Sequence, residues 1–416
     1  MSTQLDNLPS ALEHRQPRSH WTGAADADEL ARWRHVAREV ATALAVDVVA
    51  RDDANLDPTT ELDLLRVTGL VNLLVPTAFG GHGAHWETAF AVIRIIAEVD
   101  GSISQLLLYH YINQGNIGFI GAPALQGDWY SRSATGQWVW GDSVNPVDPD
   151  LILVPDGDGY RLDGRKFFST GASAGDVILV NAVARGGEHD GRVIALVIDH
   201  DRAGVTFLGN WNALGQRLTA SGGVKYENVS VTADEILGVA SDDAFFNTVT
   251  PGLQLGFGNL YLGLARGALE HGRRITLARK NAWFLSSADL YQDDPFIQRA
   301  YGEFVAHLAA AEAFAEKLNP TFDAAVAKGY DFDYDDRIQL EQGVAQLKVV
   351  STDVGLEIAN RIFETTGASS ATATSGLDLY WRNLRTHSLH DPVDYKKLEV
   401  GAYFLNGTVQ PVSLYT

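Results

Sequence analysis

The densest group of chemically capable side chains lies in Trp381-Arg382-Asn383-Leu384-Arg385-Thr386-His387-Ser388-Leu389-His390-Asp391-Pro392. Imidazole is the side chain best suited to proton traffic near neutral pH, and a neighbouring carboxylate orients it or raises its pKa. Pro392 disfavours helical geometry at Asp391, so His390 and Asp391 should project from a turn after a helix. The same residues could instead cap that helix and pair with Arg382 or Arg385, because structural networks also collect His and Asp. His-x-x-His shares a helix face and could suit a metal, yet no third ligand at a recognisable spacing accompanies it, so no metal is expected.

Two other stretches carry polar groups. Tyr160-Arg161-Leu162-Asp163-Gly164-Arg165-Lys166-Phe167-Phe168-Ser169-Thr170-Gly171-Ala172 reads as a turn at Asp163-Gly164 followed by an aromatic strand with hydroxyls. Alone, it is an ordinary hairpin. Tyr109-His110-Tyr111-Ile112-Asn113-Gln114 sets a histidine in a largely apolar helical stretch, where a hydrogen-bonded core residue is the commoner outcome.

The chain that must position these groups has 416 residues, 46% hydrophobic and 20% charged, enough apolar material for a substantial core and more than one structural unit. A formal charge of −20 argues against nucleic acid or anionic membrane as partner. Absence of cysteine excludes disulfides, thiolate nucleophiles and zinc–thiolate sites. Residues 1–25 are polar, contain Pro9 and Pro17, lack a signal pattern and read as a flexible tail. No uncharged apolar run approaches the ~20 residues of a membrane span, so a cytoplasmic protein is expected.

Periodicity divides the remainder. Residues 26–136 are helical in pattern, with Leu30, Trp33, Ala37, Val40, Ala41 and Leu44 on one face and a second run over Thr88–Val99. Residues 137–243 hold short β-rich runs such as Val177–Val180 and Val193–Ile198, split by turn signals such as Asp156-Gly157-Asp158-Gly159. Residues 244–416 return to helix, with long patterned segments around Leu255–Arg279, Asp294–Leu318 and Asp336–Thr366. Helices, a β unit and helices again make an α+β arrangement, and no Gly-x-Gly-x-x-Gly follows a strand.

In order and spacing these features resemble the acyl-CoA dehydrogenase superfamily from about residue 30 onward. The resemblance rests on Leu74-Val75-Pro76 with Phe79-Gly80-Gly81, on Gly164–Thr170, and on Asn212–Gly222 running to Glu235-Ile236-Leu237-Gly238. It implies an N-terminal helical domain, a central β-barrel-like domain and a C-terminal four-helix bundle. Dehydrogenases of the superfamily use a glutamate base after an Arg-Asp-Ala-Arg-like element; here that element is Arg382–Arg385 and the base position falls on Asp391, one methylene shorter. Their Thr-Glu-Pro flavin segment is replaced by Gly141–Pro146. A more specific resemblance is to dibenzothiophene monooxygenase-like two-component oxygenases, carried by Arg385–Val393, Tyr109-His110, Leu260–Gly263 and Tyr301–Phe304.

That second resemblance implies reduced FMN (FAD is the alternative) delivered by a separate flavin reductase, and oxygenation by way of a flavin C4a-hydroperoxide. The substrate would be a small organosulfur or heteroaromatic compound. It assigns proton handling to His390, oriented by Asp391, with His387 and His110 beside the flavin and Thr170 bonded near flavin N5. Flavin contacts fall on Asp142, Ser143, Phe168 and Ser169, and phosphate contacts on Arg279, Lys280, Asn281, Ser369 and Ser370. Substrate contacts fall on Tyr111, Asn113, Gln114 and Trp211. Four positions depart from the sulfur-oxidising relatives: Asp142 replaces an Asn, Gln114 an aromatic, and Asn281 and Ser369 two phosphate-binding arginines. A homotetramer in which C-terminal helices complete a neighbour's flavin site is also implied. Competing readings are an acyl-CoA dehydrogenase or oxidase with Asp391 as base, an amine N-hydroxylase, and a scaffold that binds no flavin.

Overall fold

The computed structural model describes residues 20–145, 150–186, 189–241 and 243–411. Most of the expected tail, and Pro146, lie outside the described residues. Of the residues expected in the tail, Trp21 is buried, tilted on Phe119 and edge-on to Trp86, so the chain is anchored before Ala25.

Among the described residues six helices come first: α1 (Ala27–Leu44), α2 (Val48–Ala54), α3 (Thr59–Val67), α4 (Trp86–Ala97), α5 (Gly101–Phe119) and α6 (Pro123–Gly136). Asp26 caps α1 by accepting from the Glu29 N–H, and Trp33, Ala37, Val40, Ala41 and Leu44 form its buried face. Asp100 ends one helix and starts the next, accepting from the Ser102 and Ile103 N–H groups. Helix α5 is buried along nearly its whole length and forms the central post of the first helical layer.

The strands are β1 (Trp140–Ser143), β2 (Ile152–Asp156), β3 (Gly159–Lys166), β4 (Val177–Ala184), β5 (Val193–Asp199), β6 (Val205–Phe207), β7 (Val224–Val231) and β8 (Ile236–Val239). They form one mixed sheet in the order β6-β7-β3-β2-β4-β5-β8, with β1 parallel to β4. Alternation along each strand gives the sheet two faces. One face gathers Leu153, Leu162, Ile178, Val180, Leu196, Val224 and Val229 into a core of its own. The other sends Val177, Leu179, Ala195 and Val197 into the helical core. The sheet departs from expectation between Asp163 and Thr170. Asp163-Gly164 is a bulge inside β3, where Gly164 has φ +134° and a Cβ would strike the Asp150 carbonyl. Strand β3 then stops at Lys166, leaving Phe167–Thr170 irregular.

The last six helices are α7 (Val249–Ala278), α8 (Pro295–Ala327), α9 (Tyr334–Arg361), α10 (Phe363–Thr366), α11 (Asp378–His387) and α12 (Val393–Asn406). Helix α8 runs past Leu318 and through Pro320. Proline costs an interior helix about 3 kcal/mol, and the turns beyond it offset this. Phe322 packs edge-on to Trp86 and Phe90, while Asp323 accepts from the Trp86 and Glu87 N–H groups at 2.8 Å each. Among the described residues no helix is long and apolar enough to cross a membrane.

Candidate active site

Helix α11 ends at His387, a turn follows through Asp391, and Pro392 opens the way to α12, the geometry that proline imposes. The packed faces of α5, α7, α9 and α11 meet this turn. On α7 the Tyr261 hydroxyl lies 2.9 Å from His387 Nδ1 and donates to the His387 carbonyl at 3.2 Å. All three groups are satisfied when Nδ1 carries the ring proton and Nε2 is a bare lone pair. Nε2 is buried with no hydrogen-bond partner among the described residues. Burial, with His390 and Lys348 adding to it, holds the His387 pKa well below the usual imidazole value, so the ring is neutral. Phe257 meets His387 and His390 edge-on, and the two imidazoles lie parallel at 5.8 Å.

Asp391 is the hub of the turn. Its Oδ1 is 3.2 Å from His390 Nδ1 and 2.7 Å from the ammonium of Lys348, and its Oδ2 accepts from Gln254 at 3.4 Å. Burial alone would raise this carboxyl, but His390 and Lys348 hold it well below the usual carboxylate range. Lys348 and Gln254 carry no motif that marks them as members of the site, and Tyr261 lies within the Leu260–Gly263 match but is given no role by it; burial on the inner faces of α9 and α7 brings all three there.

Helix α5 presents two polar faces. Tyr109 approaches His387 and Phe257 at ring separations of 6.4 and 6.1 Å, and Asn113, one turn on, bonds the Asp142 side chain. Gln105, one turn before Tyr109, is buried with Oε1 lacking a partner among the described residues. His110 and Gln114 share the other face. His110 Nε2 donates to the Val71 carbonyl at 2.7 Å, its Nδ1 accepts from the Trp140 N–H at 3.1 Å, and Gln114 bonds Val71 and Ser133. His110 therefore departs from the role expected for it. Both its nitrogens are bound to backbone, and burial pushes its pKa down to about 4. It is a neutral cross-link, and the α5 face toward His387 is that of Gln105, Tyr109 and Asn113. Tyr111 is also fully buried, its hydroxyl without a partner among the described residues.

Asp142 on β1 joins α5 to the irregular segment after β3. Its N–H donates to the Thr170 carbonyl at 2.9 Å and its Oδ1 accepts from the Thr170 N–H at 3.2 Å. Burial pushes its pKa up to about 7. The Thr170 hydroxyl is 3.0 Å from that of Ser221, which meets Thr219 at 2.7 Å. Ser143 and Ser169 are instead paired with each other at 2.8 Å, and Ser143 also accepts from the Tyr226 hydroxyl at 2.7 Å. Phe168 has φ +58°, a costly conformation for an aromatic residue, and is 67% exposed with its ring edge-on to Trp211 at 6.4 Å. Nearby, Gln216 also has positive φ, and both polar atoms of its amide are buried without a partner among the described residues.

The residues expected at a flavin phosphate form a separate group. Arg279 caps the far end of α7, donating to the Thr366 carbonyl at 3.0 Å with its guanidinium over the Tyr291 ring. Ser370 bonds Thr366 at 2.6 Å within the same turn, and Lys280, Asn281 and Ser369 are exposed. Along α7, Arg279 lies roughly 33 Å from Phe257 at 1.5 Å per residue. Within one chain this group is thus remote from the His387–Asp391 turn.

Helical layer, mixed sheet and helical bundle are those of the acyl-CoA dehydrogenase class of flavoenzymes, and residues 255–395 match the family model "Acyl-CoA dehydrogenase, C-terminal domain". The chain is 38% identical over 387 residues to a probable FMNH2-dependent monooxygenase, SfnC, of Pseudomonas putida, covering 92% of this chain and 96% of that one. It is 37% identical to the dibenzothiophene monooxygenase of Rhodococcus qingshengii, covering 96% and 97%. The solved complex of TdsC from Paenibacillus sp. A11-2 with FMN and indole superposes with a TM-score of 0.89 at 35% identity, covering 92% and 100%. The chain belongs to the dibenzothiophene monooxygenase-like family of FMNH2-dependent monooxygenases built on the acyl-CoA dehydrogenase fold.

Proposed function

We propose that this protein is a two-component monooxygenase that takes reduced FMN from a separate flavin reductase and oxygenates a small organosulfur or heteroaromatic compound with dioxygen. The residues fit a flavin. An exposed aromatic held at positive φ faces a tryptophan, and Gln216, whose buried amide has no partner among the described residues, accepts at its main-chain carbonyl from the Thr219 hydroxyl that meets Ser221. Reduced FMN supplies two electrons, so that one oxygen atom enters the substrate and the other leaves as water. The protein's own work is to hold the ring, exclude water and move protons. Phe168 and Trp211 would hold and shield the flavin ring, and the Thr170 hydroxyl would hydrogen-bond to it. His390, oriented at Nδ1 by Asp391, gives a proton from Nε2 to the departing oxygen. His387 Nε2, a buried lone pair, accepts a hydrogen bond from the bound substrate or the oxygen donor.

The observation that carries the reading is the His387–His390 pair seated beside a carboxylate that Lys348 already neutralises. The same observation disfavours the dehydrogenase alternative: Asp391 is committed to Lys348, Gln254 and His390, and its depressed pKa makes it a poor base. The separated phosphate group supports a symmetric homo-oligomer, a tetramer by resemblance, in which Arg279 and the 366–370 turn serve a neighbour's flavin. Exposed Trp283, Phe284, Leu285 and Phe296 lie in the segments that follow Arg279, and Tyr395, Leu398 and Phe404 line α12, apolar surface that such an assembly would cover. Delivery of reduced flavin by a reductase fits a cytoplasmic protein.

The test is a panel of thiophenes, sulfinates, indoles and amines with reduced FMN and isotopically labelled dioxygen. One labelled oxygen atom in the product supports the proposal. Bleaching of bound oxidised flavin by an acyl-CoA, with no labelled product, would replace it with dehydrogenation.

A further inference from the structure

Lys348 is a fully buried cation that the proposed chemistry leaves unused. Its ammonium donates to Asp391 Oδ1 at 2.7 Å and to Gln254 Oε1 at 2.9 Å, and it sits over the Phe257 ring at 4.7 Å and the Tyr261 ring at 5.8 Å. Burial lowers its pKa and Asp391 raises it, so neither charge has water to fall back on. Buried ion pairs are a poor source of stability, since well-packed apolar residues of the same volume often serve as well or better. What such a pair can supply is direction. Asp391 Oδ1 is shared: the oxygen that receives Lys348 is also the one 3.2 Å from His390 Nδ1. Gln254 closes the arrangement by donating to Oδ2 while accepting from Lys348, so the carboxylate cannot rotate without breaking all three contacts.

We propose that Lys348 is a positioning residue for His390: by holding the Asp391 carboxylate in place it keeps the proton on His390 Nδ1 and presents Nε2 for proton transfer. The inference rests on the oxygenase reading of the His390 turn. Charged and titratable groups packed around that turn are His387 on α11, Lys348 on α9, Tyr109 on α5, Tyr261 on α7, and Lys396 with Glu399 on α12. Lys348 is the cation among them in direct contact with the carboxylate that faces His390. Its loss leaves an uncompensated negative charge against the imidazole, which favours the imidazolium.

The experiment compares the parent holoenzyme with Lys348→Met and with the double variant K348M/D391N. It uses ring-labelled histidine to follow His390 by NMR and measures the ratio of product to hydrogen peroxide across pH. Lys348→Met should weaken the His390 imidazolium as an acid by about tenfold and move the pH profile of coupling upward by the same factor. FMN affinity should be unchanged. The double variant, which buries no lone charge and has lost the carboxylate beside the imidazole, should bring the titration below that of the parent while coupling stays poor. If Lys348→Met fails to fold, the double variant carries the test alone, with His390 titrating at lower pH than in the parent. A His390 titration in the folded variants identical to the parent would overturn the proposal. Full oxygenation by His390→Ala would instead remove the reading on which it rests, whatever the titrations show.

Discussion

The Tyr261 hydroxyl lies 2.9 Å from His387 Nδ1 and also donates to the carbonyl of the same residue. A phenol on α7 thus closes the last turn of α11 and decides which imidazole nitrogen is left as a bare lone pair. Tyr261→Phe removes both contacts and leaves the buried Nδ1–H of His387 unpaired, while the carbonyl keeps the His390 N–H at 3.0 Å. A buried unsatisfied group costs about 1–3 kcal/mol, so urea unfolding should show a loss in that range. With the tautomer no longer held, kcat should fall by roughly tenfold, the equivalent of ~1.4 kcal/mol. Loss of stability with undiminished kcat would make Tyr261 a structural tyrosine only.

Asp142 sets a pH dependence of the opposite kind to an ordinary surface carboxylate. Burial raises its pKa in the folded protein from 3.8 to about 7. The folded state therefore prefers the proton, and this contribution to stability, present below the unfolded pKa, is lost as pH rises toward and through 7. Every tenfold change in acid strength is worth ~1.4 kcal/mol, so the loss is on the order of 4 kcal/mol. Asp142→Asn keeps an acceptor for the Thr170 N–H and cannot ionise. Flavin-free Asp142→Asn should be more stable than the parent at pH 8 and nearly equal to it at pH 4, as denaturation at the two pH values will show.

Much of the architecture is legible in the sequence because it depends on periodicity. The face of α1, the runs in β4 and β5 and the turn before Pro392 all follow from local spacing and proline chemistry. The site is legible in its composition but not in its facing. Nearly every residue of α5 is buried, so the pattern carries no amphipathic stripe to say which side opens toward His387, and residue type alone favours His110 over Gln105 and Tyr109. Phe168 offers no signal for its left-handed backbone, since glycine is the residue that normally announces one. Lys348 stands 43 positions before Asp391 on another helix, and only tertiary packing joins them.

His110 gives a second titration with a different sign. Burial lowers its pKa to about 4, so between 6.5 and 4 the unfolded chain takes up a proton that the folded chain refuses. Its contribution is intact above the unfolded pKa and falls as pH drops through that window, by about 3 kcal/mol. His110→Gln should be less stable than the parent at pH 7, because the cross-link from Val71 to Trp140 is broken, and the difference should narrow toward pH 4. Denaturant unfolding at pH 7, 5.5 and 4 tests this. A parallel loss at every pH would mean that the imidazole is charged or exposed in the folded state.

The distance between Arg279 and Phe257 predicts complementation between subunits. If one flavin is held at its ring by one protomer and at its phosphate by a neighbour, variants crippled in opposite halves should rescue each other. Arg279→Ala should lose FMN affinity, and His390→Ala should lose oxygenation while still binding FMN. Unfolding and re-assembling equal amounts of the two variants distributes subunits at random. About a quarter of the sites then combine an intact His390 with a neighbour's intact Arg279. Activity should therefore return to roughly a quarter of the parent value, although neither variant alone is active. A site contained in a single chain cannot be rescued this way, so a mixture as inactive as its components would place the phosphate of this protein's flavin elsewhere than at Arg279 of a neighbour.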